Sequence, residues 1–374
     1  MKALFTTFPA YGHLLPMLPL ATAAAAAGDE VVVVASAELH GTVDGLQVRA
    51  LGPSLPDLLA ENDRRSGQDV LEYRTDNDRA LDATIALFST TRADVAFDAL
   101  CELVAHERPD VIVAEMWDYL APLVAQRLGI PWVSFVHSPA TPIDAVLHGG
   151  LVTAAQQREL ATPTPLATVQ LWPEWLEQHT PQTDDAMPIA TSPYDTSAHV
   201  DLPDFDGARP VVLVTLGTVV DDLDLLNAAV RGVLDAGADA LVTSGLTATP
   251  GQVEGEPGRV HAVPFAPISR LLDRVRAVVT AGGSGTTLAA LSRGLPLAFV
   301  PRIANQPLVA SLVTGFGAGT VCDDPATVAA AVSAMLREPD LRARAEAAAG
   351  LLDGRPKPDA VWSALRDRAG VAGR

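Results

Sequence analysis

Basic residues are scarce in this chain. Against 45 Asp and Glu stand only 26 Lys and Arg, a net charge of −19. A surface so acidic repels phosphate backbones and anionic lipid, so neither nucleic acid nor a membrane is an expected partner. Cysteine is scarcer still. Cys101 and Cys322 lie far apart, neither in a CxxC pair nor in a Cys/His cluster, which argues against a disulfide framework and a structural zinc site. Two reduced, buried thiols suit a cytoplasmic protein. Long apolar runs are missing too. Leu14–Ala27 comes nearest, but Pro16 and Pro19 interrupt it and Lys2 is the only basic residue ahead of it. It leads through Gly28-Asp29-Glu30 into Val31–Val34, so strand, loop, helix and strand explain it better than an export signal. Nothing else reaches the ~18 apolar residues of a spanning helix.

What the chain does have is core material. With 48% hydrophobic and 19% charged residues, disorder is excluded. At 374 residues, two domains are favoured over one. Lys2–Thr7 reads as a strand, Phe8–His13 as a loop, Leu14–Ala27 as a helix and Glu30–Ala35 as a buried parallel strand. Asp110–Ala114, the helix Tyr119–Leu128 and the strand Trp132–Val136 continue the rhythm. From Ala161 to Pro210 prolines and polar residues crowd together. A second α/β series then begins at Val211–Leu216 and runs through a helix at Asp224–Ala236 and strands at Asp239–Thr243, Val260–Val263, Val278–Thr280 and Leu297–Val300. The expected fold class is α/β, two Rossmann-like doubly wound domains facing a central cleft. The expected boundaries are an N-terminal domain over 1–200, a linker over 201–210 and a C-terminal domain over 211–355. A helical tail over 356–374 is expected to pack back on the first domain.

Chemistry concentrates in the turns after strands. Ala281-Gly282-Gly283-Ser284-Gly285-Thr286-Thr287 follows a predicted strand and opens a predicted helix. Its glycines admit close approach to the backbone, and the helix start offers unpaired N–H groups and a positive dipole end. That suits an anion, most simply phosphate. An ordinary Gly-rich turn accounts for the spacing equally well. The motif lacks the spacing of the dinucleotide fingerprint and the lysine of the P-loop. Leu216-Gly217-Thr218 is a second such turn in the same half. In the first half, His13 follows the first strand, where an imidazole suits general-base work near neutrality. Glu115 and Asp118 follow another strand, and either carboxylate is a candidate to orient the ring.

These placements resemble a family. Gly12-His13-Leu14-Leu15-Pro16, followed by Leu18-Pro19-Leu20-Ala21, is similar to the first strand–helix turn of the GT-B glycosyltransferases that decorate bacterial natural products. So are Val214-Thr215-Leu216-Gly217-Thr218, Pro264-Phe265-Ala266-Pro267 and Gly282–Thr287 with Gly294-Leu295-Pro296. Pro301 and the pair Asn305-Gln306 complete the likeness, which runs in order over nearly the whole chain. The resemblance implies a catalytic base at His13 with Glu115 as its acidic partner. It implies a donor site at Gly217, Thr218, Phe265, Gly282, Gly283, Ser284, Gly285, Thr286, Asn305 and Gln306. The family carries a histidine where this chain has Ala281, an aspartate where it has Asn305 and an asparagine where it has Val309. Loss of one charge-assisted contact costs roughly 1.5–3 kcal/mol of binding. Ala281→His is accordingly expected to tighten the diphosphate.

The expected activity is an inverting, metal-independent transfer of a deoxysugar or sugar from a dTDP- or UDP-sugar to a small hydrophobic natural-product acceptor. No cofactor and no metal are expected. The expected partners are the nucleotide-diphosphate sugar and the acceptor, with a homodimer or an auxiliary protein left open. Trp117, Trp132, Phe135, Trp172 and Trp175 are candidates to line the acceptor pocket, with core packing as their other role. A non-catalytic or auxiliary homologue with a weakened donor site is the alternative, motivated by Ala281, Asn305 and Val309. A nucleotide-sugar epimerase on the same two-domain fold is a third reading.

Overall fold

The computed structural model describes residues 1–68, 70, 78–141, 144–177, 185–194, 202, 205–218, 220, 222–245, 248–264 and 266–372. Two compact units emerge. The first comprises Met1–Leu171, Pro181–Ile189 and Pro356–Arg374, and the second Trp172–Thr180 and Ala190–Arg355. The chain thus first joins the second unit near Trp172, well ahead of the boundary expected at residue 200. Packing explains the early change, because the Trp175 ring lies 4.8 Å from that of Phe316 in the second unit.

The first unit is built on a seven-stranded parallel sheet. Its strands are β1 (Lys2–Thr6), β2 (Glu30–Ala35), β3 (Gln47–Ala50), β4 (Val111–Glu115), β5 (Trp132–Val136), β6 (Ala167–Gln170) and β7 (Ala186–Pro188), in the order 3-2-1-4-5-6-7. Helices cover both faces of such a sheet, so its central strands must be apolar on both sides. Residues 3–6 of β1 and all of β4 are buried accordingly. The second unit holds a six-stranded parallel sheet of β8 (Val211–Thr215), β9 (Asp239–Thr243), β10 (Val260–Val263), β11 (Ala277–Thr280), β12 (Leu297–Phe299) and β13 (Gly319–Val321). Its order is 10-9-8-11-12-13. Both sheets are α/β and doubly wound, as the sequence predicts. In each, the strand order reverses beside the first strand, between β1 and β4 and again between β8 and β11. Connections leave such a point in opposite directions, so a crevice opens beyond the carboxyl ends.

Several local expectations shift. The helix expected over Leu14–Ala27 begins earlier and is broken into a turn Tyr11–Leu14, a 3₁₀ segment Leu15–Met17 and a helix Leu18–Ala26. Pro16 and Pro19 each sit at a segment start, where a missing N–H costs no helical bond. His13 therefore rides on a helical turn instead of a loop. Strands β6 and β7 fall in the stretch that reads as proline-rich and polar. They are short, half-buried and near the sheet edge, where Pro188 is tolerated. The helix Pro358–Ala372 belongs to the first unit. Its Trp362 is buried and donates from Nε1 to Asp29 Oδ2 at 2.8 Å, while Asp29 Oδ1 takes the terminal ammonium of Met1 at 2.6 Å. Among the described residues, no helix is long and apolar enough to cross a membrane.

Candidate active site

The crevice of the first unit is furnished by the ends of β1 and β4. Glu115 is the last residue of β4, inside the strand and not beyond it, and its side chain is fully buried. The chain leaving β1 passes Thr7 and Phe8 and turns at Tyr11–Leu14, which brings His13 Nδ1 to 3.0 Å from Glu115 Oε1. The same oxygen accepts the Phe8 N–H at 3.3 Å, and Oε2 accepts the Trp117 N–H at 3.0 Å. Burial pushes the Glu115 carboxyl up. The His13 ring with its hydrogen bond, the His137 ring and the Trp117 N–H outweigh burial and hold it below the usual carboxylate range. An ionised carboxylate only accepts, so His13 donates from Nδ1, and in the neutral ring this leaves the lone pair at Nε2. That is the form a general base requires.

Aromatic rings enclose this pair. The His13 ring centroid lies 5.3 Å from Phe8, 5.4 Å from Trp117 and 5.1 Å from His137. Of the aromatics expected near an acceptor, Trp117 alone packs on His13 in this way. Phe135 is fully buried, Trp132 packs against the apolar core of β4, and Trp172 and Trp175 belong to the second unit. His137 was not anticipated. It follows β5, is buried, and sets Nε2 at 3.6 Å from Glu115 Oε2. Burial pushes its pKa down to about 4 despite the upward pull of Glu115. The available signal was its position one residue past a strand that neighbours β4. Asp118, the other candidate carboxylate, turns to Arg92 instead, at 3.9 Å in a fully buried pair. Burial raises the Asp118 pKa against the pull of Arg92, and the Arg92 guanidinium also donates to the Thr7 carbonyl at 3.3 Å.

In the second unit a row of threonines marks the carboxyl edge. Thr243, Thr215 and Thr280 end β9, β8 and β11 in mutual register, and Thr243 Oγ1 donates to Thr215 Oγ1 at 2.7 Å. Two of the three also shape the turns that follow. Thr215 Oγ1 accepts from Gly217 N at 3.4 Å and Thr280 Oγ1 from Gly282 N at 3.3 Å. The two Gly-turns are thus the same device repeated on adjacent strands. Gly217 has φ +80° and Gly282 φ +100°, a region that side chains disfavour. At Gly282 a Cβ would also meet the Gln306 carbonyl at 3.1 Å.

Gly283 then stands as N-cap of the helix Ser284–Leu291, with no side chain capping the first turn. The N–H groups of Ser284, Gly285 and Thr286 open that helix, which is an anion-binding geometry. Asn305 Nδ2 reaches Ser284 Oγ at 3.3 Å. Gln306 Oε1 accepts from Arg302 N and Ile303 N at 2.9 and 3.0 Å, which fixes the loop before its helix. Hence Gly282–Thr286, Asn305 and Gln306 gather at one edge, with Gly217 and Thr218 leaving the neighbouring strand. Phe265 lies outside the described residues. Ala281 departs from expectation: it is 1% exposed and packs in the apolar core with Val214, Leu216 and Val300, as Val309 is buried in its helix.

Known proteins resemble this chain over most of its length. Residues 219–367 match the family described as "Erythromycin biosynthesis protein CIII-like, C-terminal domain". The L-demethylnoviosyl transferase of Streptomyces niveus is 30% identical over 98% of this chain and 97% of its own. The elloramycin glycosyltransferase of Streptomyces olivaceus is 32% identical over 99% and 98%. A glycosyltransferase of Streptomyces sp. SF2575, solved in complex with thymidine diphosphate, superimposes with a TM-score of 0.82. It is 26% identical over 98% of this chain and 99% of its own. Sheet order and this end-to-end similarity converge: the chain belongs to the GT-B glycosyltransferases of bacterial natural-product biosynthesis.

Proposed function

We propose that this enzyme is an inverting, metal-independent transferase that moves a sugar, most simply a deoxysugar, from a dTDP- or UDP-sugar to a hydroxyl of a small hydrophobic natural product. The observation that carries the reading is the 3.0 Å contact between His13 Nδ1 and the buried Glu115 carboxylate, which leaves Nε2 as the acceptor of a proton. His13 takes the proton of the acceptor hydroxyl, and Glu115 stabilises the imidazolium so formed. The oxygen attacks the anomeric carbon from the face opposite the nucleotide, so configuration inverts. The nucleoside diphosphate departs with its charge on the N–H groups at Gly282–Thr286 and the Gly217–Thr218 turn. Asn305 and Gln306 stand beside that turn as contacts for the sugar. Support for a thymidine nucleotide comes from the relative solved with thymidine diphosphate. A deoxysugar fits another relative, an aclacinomycin-T 2-deoxy-L-fucose transferase of Streptomyces galilaeus. Turnover with α-linked dTDP- and UDP-sugars on a panel of hydrophobic polyols and phenols, with the product linkage read by NMR, tests the mechanism. A β-glycoside supports it, and retention of the α configuration excludes a single displacement by an acceptor oxygen that His13 deprotonates.

Nucleotide binding is expected to be the same with and without a chelator. The only group of three or more His, Cys, Asp and Glu side chains close enough to share an ion, among the described residues, lies at His13 and not at the Gly-turns. Backbone amides at a helix start carry the anion without one. Calorimetric titration of dTDP and UDP in the two buffers checks this, and a loss of affinity in chelator would sink the claim.

A further inference from the structure

The base pair at the end of β1 and β4 has a third member that proton transfer does not use. His137 presents its buried ring to the same carboxylate, Nε2 at 3.6 Å from Oε2, while His13 Nδ1 holds Oε1 at 3.0 Å. One ligand atom from each of His13, Glu115 and His137 lies within 4.8 Å of the others. We infer that these three side chains form a binding site for a first-row divalent cation of the zinc type, and that its occupancy takes His13 out of proton transfer.

The donor set selects the ion. Two imidazoles and one carboxylate are ligands that zinc favours, whereas magnesium and calcium take oxygen almost exclusively. Bonds of about 2.0–2.1 Å at the tetrahedral angle separate two zinc ligands by roughly 3.3 Å. His13 Nδ1 and His137 Nε2 lie 3.0 and 3.6 Å from the two oxygens of Glu115, and one ligand atom of each of the three residues lies within 4.8 Å of the others, so closing on an ion takes side-chain movements of an ångström or so. Three protein ligands leave one position open.

Burial supplies a second, independent reason. Neither ring nitrogen of His137 has a hydrogen-bond partner among the described residues, although its side chain is only 5% exposed. A buried polar group left unmatched is costly, and each one calls for an explanation. A cation at Nε2 removes that cost for the nitrogen that faces Glu115. The surrounding rings of Phe8 and Trp117 exclude water and strengthen the attraction between an ion and the Glu115 carboxylate. Access runs past His13, the one member with appreciable exposure, at 16%.

The consequence for turnover follows from which atom the ion takes. At His13 the ion takes a lone pair at Nδ1, so the ring's single proton passes through solvent from Nδ1 to Nε2, where it blocks the atom that would accept the hydroxyl proton, and the hydrogen bond that orients the ring toward Glu115 is displaced. The base is then no longer held for an acceptor hydroxyl. Metal binding itself stands apart from the proposed function, and only this effect on turnover rests on His13 being the base.

The test is zinc titration of the full chain by calorimetry, with magnesium as the comparison ion, beside initial rates in zinc and in chelator. The wild type is expected to bind one zinc per chain and no magnesium at the same concentrations. Turnover should fall in step with zinc occupancy and return with chelator. His137→Phe and His13→Ala are each expected to weaken zinc at least tenfold. The second variant alters the more exposed side chain, so it tests the site even where the first perturbs folding. Absence of zinc binding, or unchanged affinity in both variants, overturns the inference and leaves the base assignment untouched. Zinc bound through these residues with turnover unmoved keeps the metal site and removes His13 as the base.

Discussion

Replacing His13 by alanine is expected to lower turnover by about 10²–10⁴-fold, the usual worth of a positioned general base. Affinity for dTDP or UDP should stay where it was. The separation of effects has a structural origin. His13 belongs to the first unit, at the end of β1, whereas the Gly-turns after β8 and β11 belong to the second. Folding should tolerate the change, because Glu115 keeps the N–H groups of Phe8 and Trp117 when the ring is gone. Initial rates at saturating donor and acceptor, with calorimetry of the free nucleotide, separate the two quantities. A variant that turns over like the wild type would show that another group accepts the proton. A variant that loses nucleotide binding would place His13 in the donor site instead. Added imidazole restoring part of the lost rate would be a positive signature, since a small base then replaces the missing ring.

The sequence makes the central strands readable because parallel strands buried on both faces are continuous apolar runs. Trp132–Val136 and Asp239–Thr243, both inside their sheets, have the same ends in the sequence reading and in the structure. Edge strands lack that signature: Ala186–Pro188 is three half-buried residues ending in proline. The meeting of His13 with Glu115 was inferable because His13 follows β1 and Glu115 ends β4, strands that the topology sets side by side. Which carboxylate pairs with the ring was not. Glu115 and Asp118 are three residues apart, and the choice depends on Arg92, which comes from a distant helix and claims Asp118. His137 escaped for a similar reason. A lone histidine after a strand carries no pattern, and its role appears only through the carboxylate it faces across the sheet. The matched pair Thr215–Gly217 and Thr280–Gly282 is visible as spelling, but its meaning requires the register that aligns the two strands.

Ala281→His is expected to destabilise the protein and to weaken the donor site, the opposite of what the family comparison alone suggests. The family resemblance implies a histidine there, whose ring would reach a phosphate oxygen. In this chain the alanine is 1% exposed within a core of Val214, Leu216, Val300 and Cys322. Overpacking a filled core typically costs 1–3 kcal/mol, and an imidazole buried there without a partner adds to that. Swinging the backbone outward offers little relief. Gly282 next door is already at φ +100°, tied to Thr280 Oγ1 and facing the Gln306 carbonyl. Movement at 281 would therefore disturb the Gly282–Gly283 amides that are to hold the diphosphate. At roughly 2–4 °C per kcal/mol for a domain of this size, the loss is well within reach of a thermal scan. Thermal unfolding of both proteins, with dTDP and UDP titrations on each, decides the matter. A lower Tm together with weaker nucleotide binding is the expected pair. An unchanged Tm with tighter binding would mean that the new ring leaves the core and meets the phosphate, so that the alanine is a simple loss and not part of a repacked strand end.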